Sequence, residues 1–282
     1  MAQKVKLIEC PRDAMQGIHD FIPTSIKLKY INLLLSAGFD TLDMGSFVSP
    51  KAIPQMADTK ELLLHLNPSP TKLLTIVANK RGIDDAAGFE NVTYLGYPFS
   101  ISETFQQRNT NASISEALEQ VEYLKLQCDK KHKIPVVYLS MGFGNPYGDE
   151  WNVDIVCDWV NKLSELEIPI ISLSDTIGIA DIKSITYLFS NLIPSFPAVE
   201  FGAHLHTLKT NWKEKVEAAY NSGCLRFDGA FKGYGGCPMA ADELTGNMPM
   251  EFLLDYFNNP IQLNPVLLSE IFNTADEIFL KN

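Results

Sequence analysis

The chain has 282 residues, 46% of them hydrophobic and 20% charged, an ordinary globular balance that allows one large buried core. Its net charge of −11 disfavours nucleic acid as a partner and requires any anionic ligand to be met by a local basic or metal site. No apolar run approaches the roughly 20 residues that span a bilayer, and the N-terminus carries no signal or transit pattern, so a cytoplasmic protein with no membrane partner is expected. Cys10, Cys128, Cys157, Cys224 and Cys237 show no paired spacing and read as free thiols.

Short β-branched or apolar runs alternate with longer stretches of helical period. Strands are predicted at 5–10, 41–47, 73–78, 92–97, 135–141, 169–174, 199–206 and 226–231. Helices are predicted at 24–37, 113–130, 153–166, 182–192 and 211–221, with Thr24, Ser113 and Asp181 as caps and Gly38 and Gly223 as stops. The third and fourth helical segments carry only a weak pattern. Eight such units predict an α/β chain folded as a (β/α)8 TIM barrel, one catalytic domain over 1–282. Extra helices at 250–258 and 265–280 make a C-terminal extension of about 248–282. A doubly wound open sheet is the alternative, but no G-x-G-x-x-G follows the first strand.

In a barrel of this kind the site lies at the C-terminal ends of the strands. The polar residues collect there: Arg12 and Asp13 after strand one, Asp43 and Ser46 on strand two, Ser102 and Glu103 after strand four, Asp175 and Thr176 after strand six. His204 and His206 end strand seven, Asp228 lies in strand eight, and Cys237 and Asn247 follow it. Residues i and i+2 of a strand share a face, so the two imidazoles point together. Closure of the barrel brings strands seven, eight and one side by side, which lets Asp13, His204, His206 and Asn247 converge. Two imidazoles, a carboxylate and an amide oxygen without a thiolate suit Mg²⁺ or Mn²⁺, with Zn²⁺ a further option. Taken singly, each piece has a plainer reading: a structural histidine pair, a capping aspartate, a glycine turn with a buried thiol. Their coincidence on one rim points to a metal-dependent enzyme.

Taken together these residues resemble the 3-hydroxy-3-methylglutaryl-CoA lyases, within the metal-dependent barrel lyases and condensing enzymes. Pro11-Arg12-Asp13 with Gln16, the run Ser46-Phe47-Val48-Ser49-Pro50-Lys51, and Ser102-Glu103 with Asn109 are similar to loops after the family's first, second and fourth strands. Ser174-Asp175-Thr176 is similar to its sixth, Gly233-Tyr234-Gly235-Gly236-Cys237-Pro238 to its catalytic cysteine loop, and Gly246-Asn247 to its last ligand. The resemblance implies an acyl-CoA substrate, a homodimer, and carbon–carbon cleavage to acetyl-CoA and acetoacetate, as in leucine catabolism. It implies metal ligation by Asp13, His204, His206 and Asn247. His204 or Asp13 would take the hydroxyl proton, Arg12 would stabilise the enolate, Cys237 would protonate it, and Asp43 and Asp175 would orient groups or relay protons.

The chain departs from the family pattern at several positions. Asp43 stands where the family has Glu. Thr207 follows the second histidine where the family has Asp, so a hydrogen-bond partner of the metal site is expected to be missing. His19 lies near the place of a family lysine, and no cysteine follows Cys237. Two other readings stand beside the lyase: a related enzyme with a different acyl-CoA or hydroxy acid, and a barrel that binds metal and ligand without turnover.

Overall fold

The computed structural model describes residues 4–236 and 245–280. Eight parallel strands close in sequence order, and the eighth pairs with the first. The chain runs β1 (Lys6–Glu9), a short α1 (Pro11–Met15), α2 (Thr24–Ser36), β2 (Thr41–Ser46), a 3-10 turn at Pro54–Met56, and α3 (Thr59–His65). It continues through β3 (Lys72–Ile76), α4 (Lys80–Ala87), β4 (Val92–Ser100), α5 (Glu103–Thr110), α6 (Ile114–Lys131), β5 (Ile134–Ser140) and α7 (Val153–Glu165). The last units are β6 (Ile170–Asp175), α8 (Ile182–Ser195), β7 (Glu200–Leu205), α9 (Trp212–Asn221) and β8 (Arg226–Gly229), followed by α10 (Met250–Tyr256) and α11 (Pro265–Phe279).

The predicted TIM barrel is therefore the observed fold, with the two C-terminal helices in place. The strands read as apolar runs because both faces are covered; β2, β6 and β8 are buried at every position. One face packs under the helices, where Leu7, Leu42, Leu95, Leu139, Leu173 and Phe227 join the main core. The other face fills the barrel. There Leu74, Ile76, Tyr94, Val136, Tyr138 and Ile170 form a separate apolar cluster on β3 to β6. The opposite side, on β1, β2, β7 and β8, carries buried polar groups instead, among them Asp43, His206, Arg226 and Asp228. Most of the residues expected at the site lie on that side.

Local signals explain most helix ends. Ser113 accepts from Glu116 N while Glu116 reaches back to the cap, a capping box of the kind whose loss costs about 1 kcal/mol. Asp181 and Ser184 do the same for α8. Gly38 (φ 86°) and Gly223 (φ 98°) take left-handed conformations just past α2 and α9, which a side chain rarely adopts. Thr24 is not the cap that its residue type suggested: Pro23 occupies that position, and the Thr24 hydroxyl donates to Asp58 at 2.8 Å. The helices α3 and α4, which have no counterpart among the predicted ones, are only seven and eight residues long. The helix α5 was not foreseen; it is largely polar and starts with the Ser102 side chain accepting from Phe105 N. The C-terminal helix α11 lies against α2, where Tyr30 and Phe279 meet edge-on with centroids 6.4 Å apart. Among the described residues no helix is long and apolar enough to cross a membrane.

Candidate metal centre and active site

The register of the barrel assembles the site. Ser174 of β6 pairs with His204 of β7, Ala203 pairs with Phe227 of β8, and Ile8 of β1 pairs with Asp228. Asp13 follows on α1, whose five residues turn back across the mouth directly after β1. The potential ligand atoms of Asp13, His204 and His206 all lie within 4.8 Å of one another. Asn247 closes the set: its backbone bridges His206, and its amide nitrogen donates to Asp13 Oδ2 at 2.7 Å and to the Tyr234 carbonyl at 2.8 Å. Those two bonds use both amide hydrogens and leave the side-chain oxygen as the atom suited to a cation.

The donor set fits a divalent ion. His206 is 2% exposed, and its Nδ1 has no hydrogen-bond partner among the described residues. A buried imidazole nitrogen without a partner is costly, and a bound cation is a natural way to satisfy it. Burial and the neighbouring His204 pull the His206 pKa down to about 4, which keeps the ring neutral, the form that ligates. His204 is held differently. Its Nδ1 lies 3.1 Å from Asp228 Oδ2, which directs Nε2 toward Asp13 and the cavity. Burial opposes its charge, but the Asp228 bond and the Asp228 and Asp13 charges together raise its pKa. Asp13 is held below its ordinary value: burial alone would raise it, and Arg12, His204 and His206 outweigh that.

Arg12 is the hub beside this centre. Its Nε lies 3.2 and 3.1 Å from the two oxygens of Asp43, and its Nη1 donates to Asp13 Oδ1 and Gln16 Oε1, both at 2.9 Å. Gln16 in turn donates to Asp13 at 2.8 Å. Burial, with the nearby Asp13 and Asp228 charges, outweighs Arg12 and pushes Asp43 up to about 6.

Above these groups opens a cavity of about 400 Å³, within the usual range for small-ligand sites. Arg12, Asp13, Gln16, His204 and His206 form its polar end; Val48, Ile53, Ile76, Pro98 and Phe105 line its apolar wall. Arg108, 5.1 Å from the Tyr147 ring centroid, stands at its edge with Asn109 and Asn111. Gly235 passes close beside the same groups. A Cβ on Gly235 (φ 94°) would meet Asn247 Nδ2 and the Asp13 carbonyl, each at 2.7 Å, so only glycine allows the chain to pass this close. Cys237, one residue beyond the buried Gly236, lies outside the described residues. Cys10, Cys128, Cys157 and Cys224 are free thiols.

Of the residues expected at the site, Asp13, His204, His206 and Asn247 converge, with Arg12 beside them. Asp43 stands behind Arg12 rather than in the cavity wall. Asp175 is turned away as well: it accepts from Lys215 at 2.7 Å and from Ala180 N at 3.0 Å. Ser46 and Thr176 line the cavity. Glu103 does not, because its carboxylate accepts from Ile114 N and joins α5 to α6. His19 is exposed, and its Nδ1 lies 3.4 Å from Asp20 Oδ1. The Thr207 hydroxyl lies 4.0 Å from the Met248 sulfur and bonds neither histidine, while Asp228 of the neighbouring strand holds His204. Lys215 also escaped the sequence reading. Its Nζ joins Asp175, the Gly178 carbonyl and the His206 carbonyl, pinning the metal-site strand to the sixth loop.

Comparison with known proteins places this geometry. A family model described as HMGL-like matches residues 4–276. The chain belongs to the HMGL-like family. It is 33% identical over 255 residues to a cytoplasmic 3-hydroxy-3-methylglutaryl-CoA lyase of Danio rerio, covering 89% of this chain and 75% of that protein. It is 30% identical to a 3-hydroxy-3-isohexenylglutaryl-CoA/hydroxy-methylglutaryl-CoA lyase of Pseudomonas aeruginosa, over 94% of this chain and 88% of the relative. Among solved structures, an HMG-CoA lyase from Acinetobacter baumannii in complex with coenzyme A and 3-methylmalate superposes with a TM-score of 0.90 at 26% identity, covering 98% of this chain and 91% of that one. Family membership thus agrees with the fold described above.

Proposed function

We propose that this protein is a metal-dependent carbon–carbon lyase that cleaves 3-hydroxy-3-methylglutaryl-CoA to acetyl-CoA and acetoacetate. The observation that carries the reading is the convergence of Asp13, His204, His206 and Asn247 beside Arg12 at the polar end of one cavity. The relatives named as lyases of this substrate and the coenzyme A bound in the Acinetobacter baumannii enzyme support the substrate class.

Asp13, His204, His206 and Asn247 would hold the ion, and their mixed nitrogen and oxygen donors favour Mg²⁺ or Mn²⁺. When bound, the ion supplies Lewis-acid polarisation and a template for the substrate's hydroxyl and carbonyl oxygens. Asp13 or His204, both facing the cavity, takes the proton of the tertiary hydroxyl. The C2–C3 bond then breaks; C3 becomes the ketone carbon of acetoacetate, and the electron pair passes to C2 as the enolate of acetyl-CoA. Arg12 lies at the cavity wall, already aligned by Asp43 and Gln16, where its guanidinium meets the developing negative charge. Cys237 returns a proton to C2, completing acetyl-CoA. Asp43 and Asp175 act through Arg12 and Lys215 as orienting groups. The family resemblance further suggests a homodimer.

Product analysis by mass spectrometry tests the reading. Purified protein with Mg²⁺ or Mn²⁺ is expected to convert 3-hydroxy-3-methylglutaryl-CoA to equimolar acetyl-CoA and acetoacetate. Turnover of only another hydroxyacyl-CoA would reassign the substrate.

A further inference from the structure

Below the metal centre, one ring of the barrel interior carries polar groups that the chemistry above does not use. Tyr138 pairs with Ser172, Ser172 with Gly202, and Gly202 with Arg226, so four neighbouring strands present these residues at one level. Asp228 stands one interior position above Arg226 on β8. Arg226 is 1% exposed, yet its Nε and Nη2 have no hydrogen-bond partner among the described residues. The Ser172 hydroxyl, the Tyr138 hydroxyl and Asp228 Oδ1 are likewise buried without one. Among the described residues only the far edge of the guanidinium is engaged: Nη1 lies 3.4 Å from Glu200, and the group sits 5.7 Å from the Tyr94 ring centroid.

Donors on Arg226, Ser172 and Tyr138 and an acceptor on Asp228 are thus buried on neighbouring strands with none bonded to another. Buried polar groups in this situation are satisfied by internal water with two to four partners. Gly202 makes the room. A Cβ there would meet Ser172 Oγ at 2.9 Å and Arg226 Cδ at 3.2 Å, so the glycine lets the arginine stem cross the strand. Burial works against the guanidinium's charge, and the Asp228 carboxylate is the first of the groups that favour it. Asp228 in turn spends its other oxygen on His204 Nδ1.

We propose that Arg226 is a positioning residue for the metal centre: through water shared with Ser172 and Tyr138 it fixes Asp228, and thereby the His204 ring, from below. This inference rests on the reading of His204 as a metal ligand. Removing the arginine would leave Asp228 held only by His204 and free to turn toward water. The ring of His204 would then sample orientations that misdirect Nε2.

The test is Mn²⁺ titration of metal-free protein, alongside kcat and KM, for wild type, Arg226→Met, Arg226→Lys, Asp228→Asn and the Arg226→Met/Asp228→Asn double variant. Loss of an outer partner of a ligating histidine typically weakens metal binding about 10–100-fold. Asp228→Asn and Arg226→Met are expected to weaken Mn²⁺ binding within that range and to lower kcat more than they raise KM. Arg226→Lys should recover part of the affinity. The double variant should bind no more weakly than Asp228→Asn alone, because both act on one element. Gly202→Ala, which displaces the guanidinium without removing its charge, should shift affinity in the same direction and covers the case in which Arg226→Met fails to fold. Wild-type Mn²⁺ affinity in folded Arg226→Met, or strictly additive losses in the double variant, would overturn the inference and leave the lyase reading standing. Failure of the wild type itself to bind Mn²⁺ would overturn both.

Discussion

Arg12 straddles Asp43, with Nε 3.1 and 3.2 Å from the two carboxylate oxygens, although Asp43 is one methylene shorter than the glutamate usual in this family. The contact is possible because α1 begins directly after β1 and turns the arginine down against β2. The cavity end of the guanidinium is thereby fixed by a group that does not itself line the cavity.

Asp43→Ala leaves the Arg12 charge buried with one partner fewer. Breaking a buried pair in this way typically costs about 3–5 kcal/mol. Chemical denaturation should read a loss of that order, moderated by the remaining bonds to Asp13 and Gln16. Activity should fall on the order of 10²-fold, because the arginine loses its aim rather than its charge. An unchanged kcat in a folded Asp43→Ala variant would refute the aligning role.

The Asp43 carboxyl also gives a pH signature whose sign is opposite to that of a typical surface ion pair. Its folded pKa of about 6 lies above the ordinary 3.8, so the folded state binds the proton more tightly than the unfolded chain. Stability contributed by this group is therefore greatest below about 4 and declines as pH rises through about 6. Relative to Asp43→Asn, which cannot titrate, the wild type should lose about 3 kcal/mol across that interval. Urea denaturation of both proteins at a series of pH values reads the difference. A wild type that instead gained stability relative to Asp43→Asn as pH rose would mean that Arg12 outweighs burial.

Lys215 joins Asp175, the Gly178 carbonyl and the His206 carbonyl from beneath α9, and it is 2% exposed. Lys215→Met keeps the length of the side chain and strands the Asp175 carboxylate. A loss of about 3–5 kcal/mol is expected. Since the same ammonium pins the strand carrying His206, Mn²⁺ affinity should fall as well. If stability fell while metal affinity did not, the lysine would serve the fold alone.

Metal binding should stabilise the fold. An ion that binds only the native state at 100 times its Kd adds about 2.7 kcal/mol. Thermal unfolding with and without Mn²⁺ should therefore show a rise in Tm for the wild type and little for His206→Ala. Equal shifts in both proteins would place the ion elsewhere.

Much of this was legible in the sequence, for identifiable reasons. The strands are buried on both faces, so they announced themselves as apolar runs. The His204 and His206 pair follows from strand periodicity alone. Asp13, Arg12 and Asn247 were found because barrel closure brings the ends of strands one, seven and eight together. What the sequence hid depends on register or on distant pairing. Asp228 could be placed on a strand, but its bond to His204 follows only from how β7 and β8 align. Lys215 sits on an outer helix, where a lysine usually means solvent, and its reach inward has no local signal. Thr24 looked like a cap because threonine often is one; Pro23 takes the position, and Asp58 claims the hydroxyl. Asp175 stood at the right rim yet turned outward to Lys215, a choice that strand periodicity alone could not reveal.

The most direct test is a coupled assay of acetyl-CoA release from 3-hydroxy-3-methylglutaryl-CoA, with Mg²⁺ or Mn²⁺ and with chelator, for wild type, His204→Ala and Cys237→Ala. Cleavage that chelator stops and metal restores, and that is lost in both variants, is the predicted result. A folded, metal-loaded wild type that releases no acetyl-CoA, or one that turns over equally well in chelator, would contradict the account.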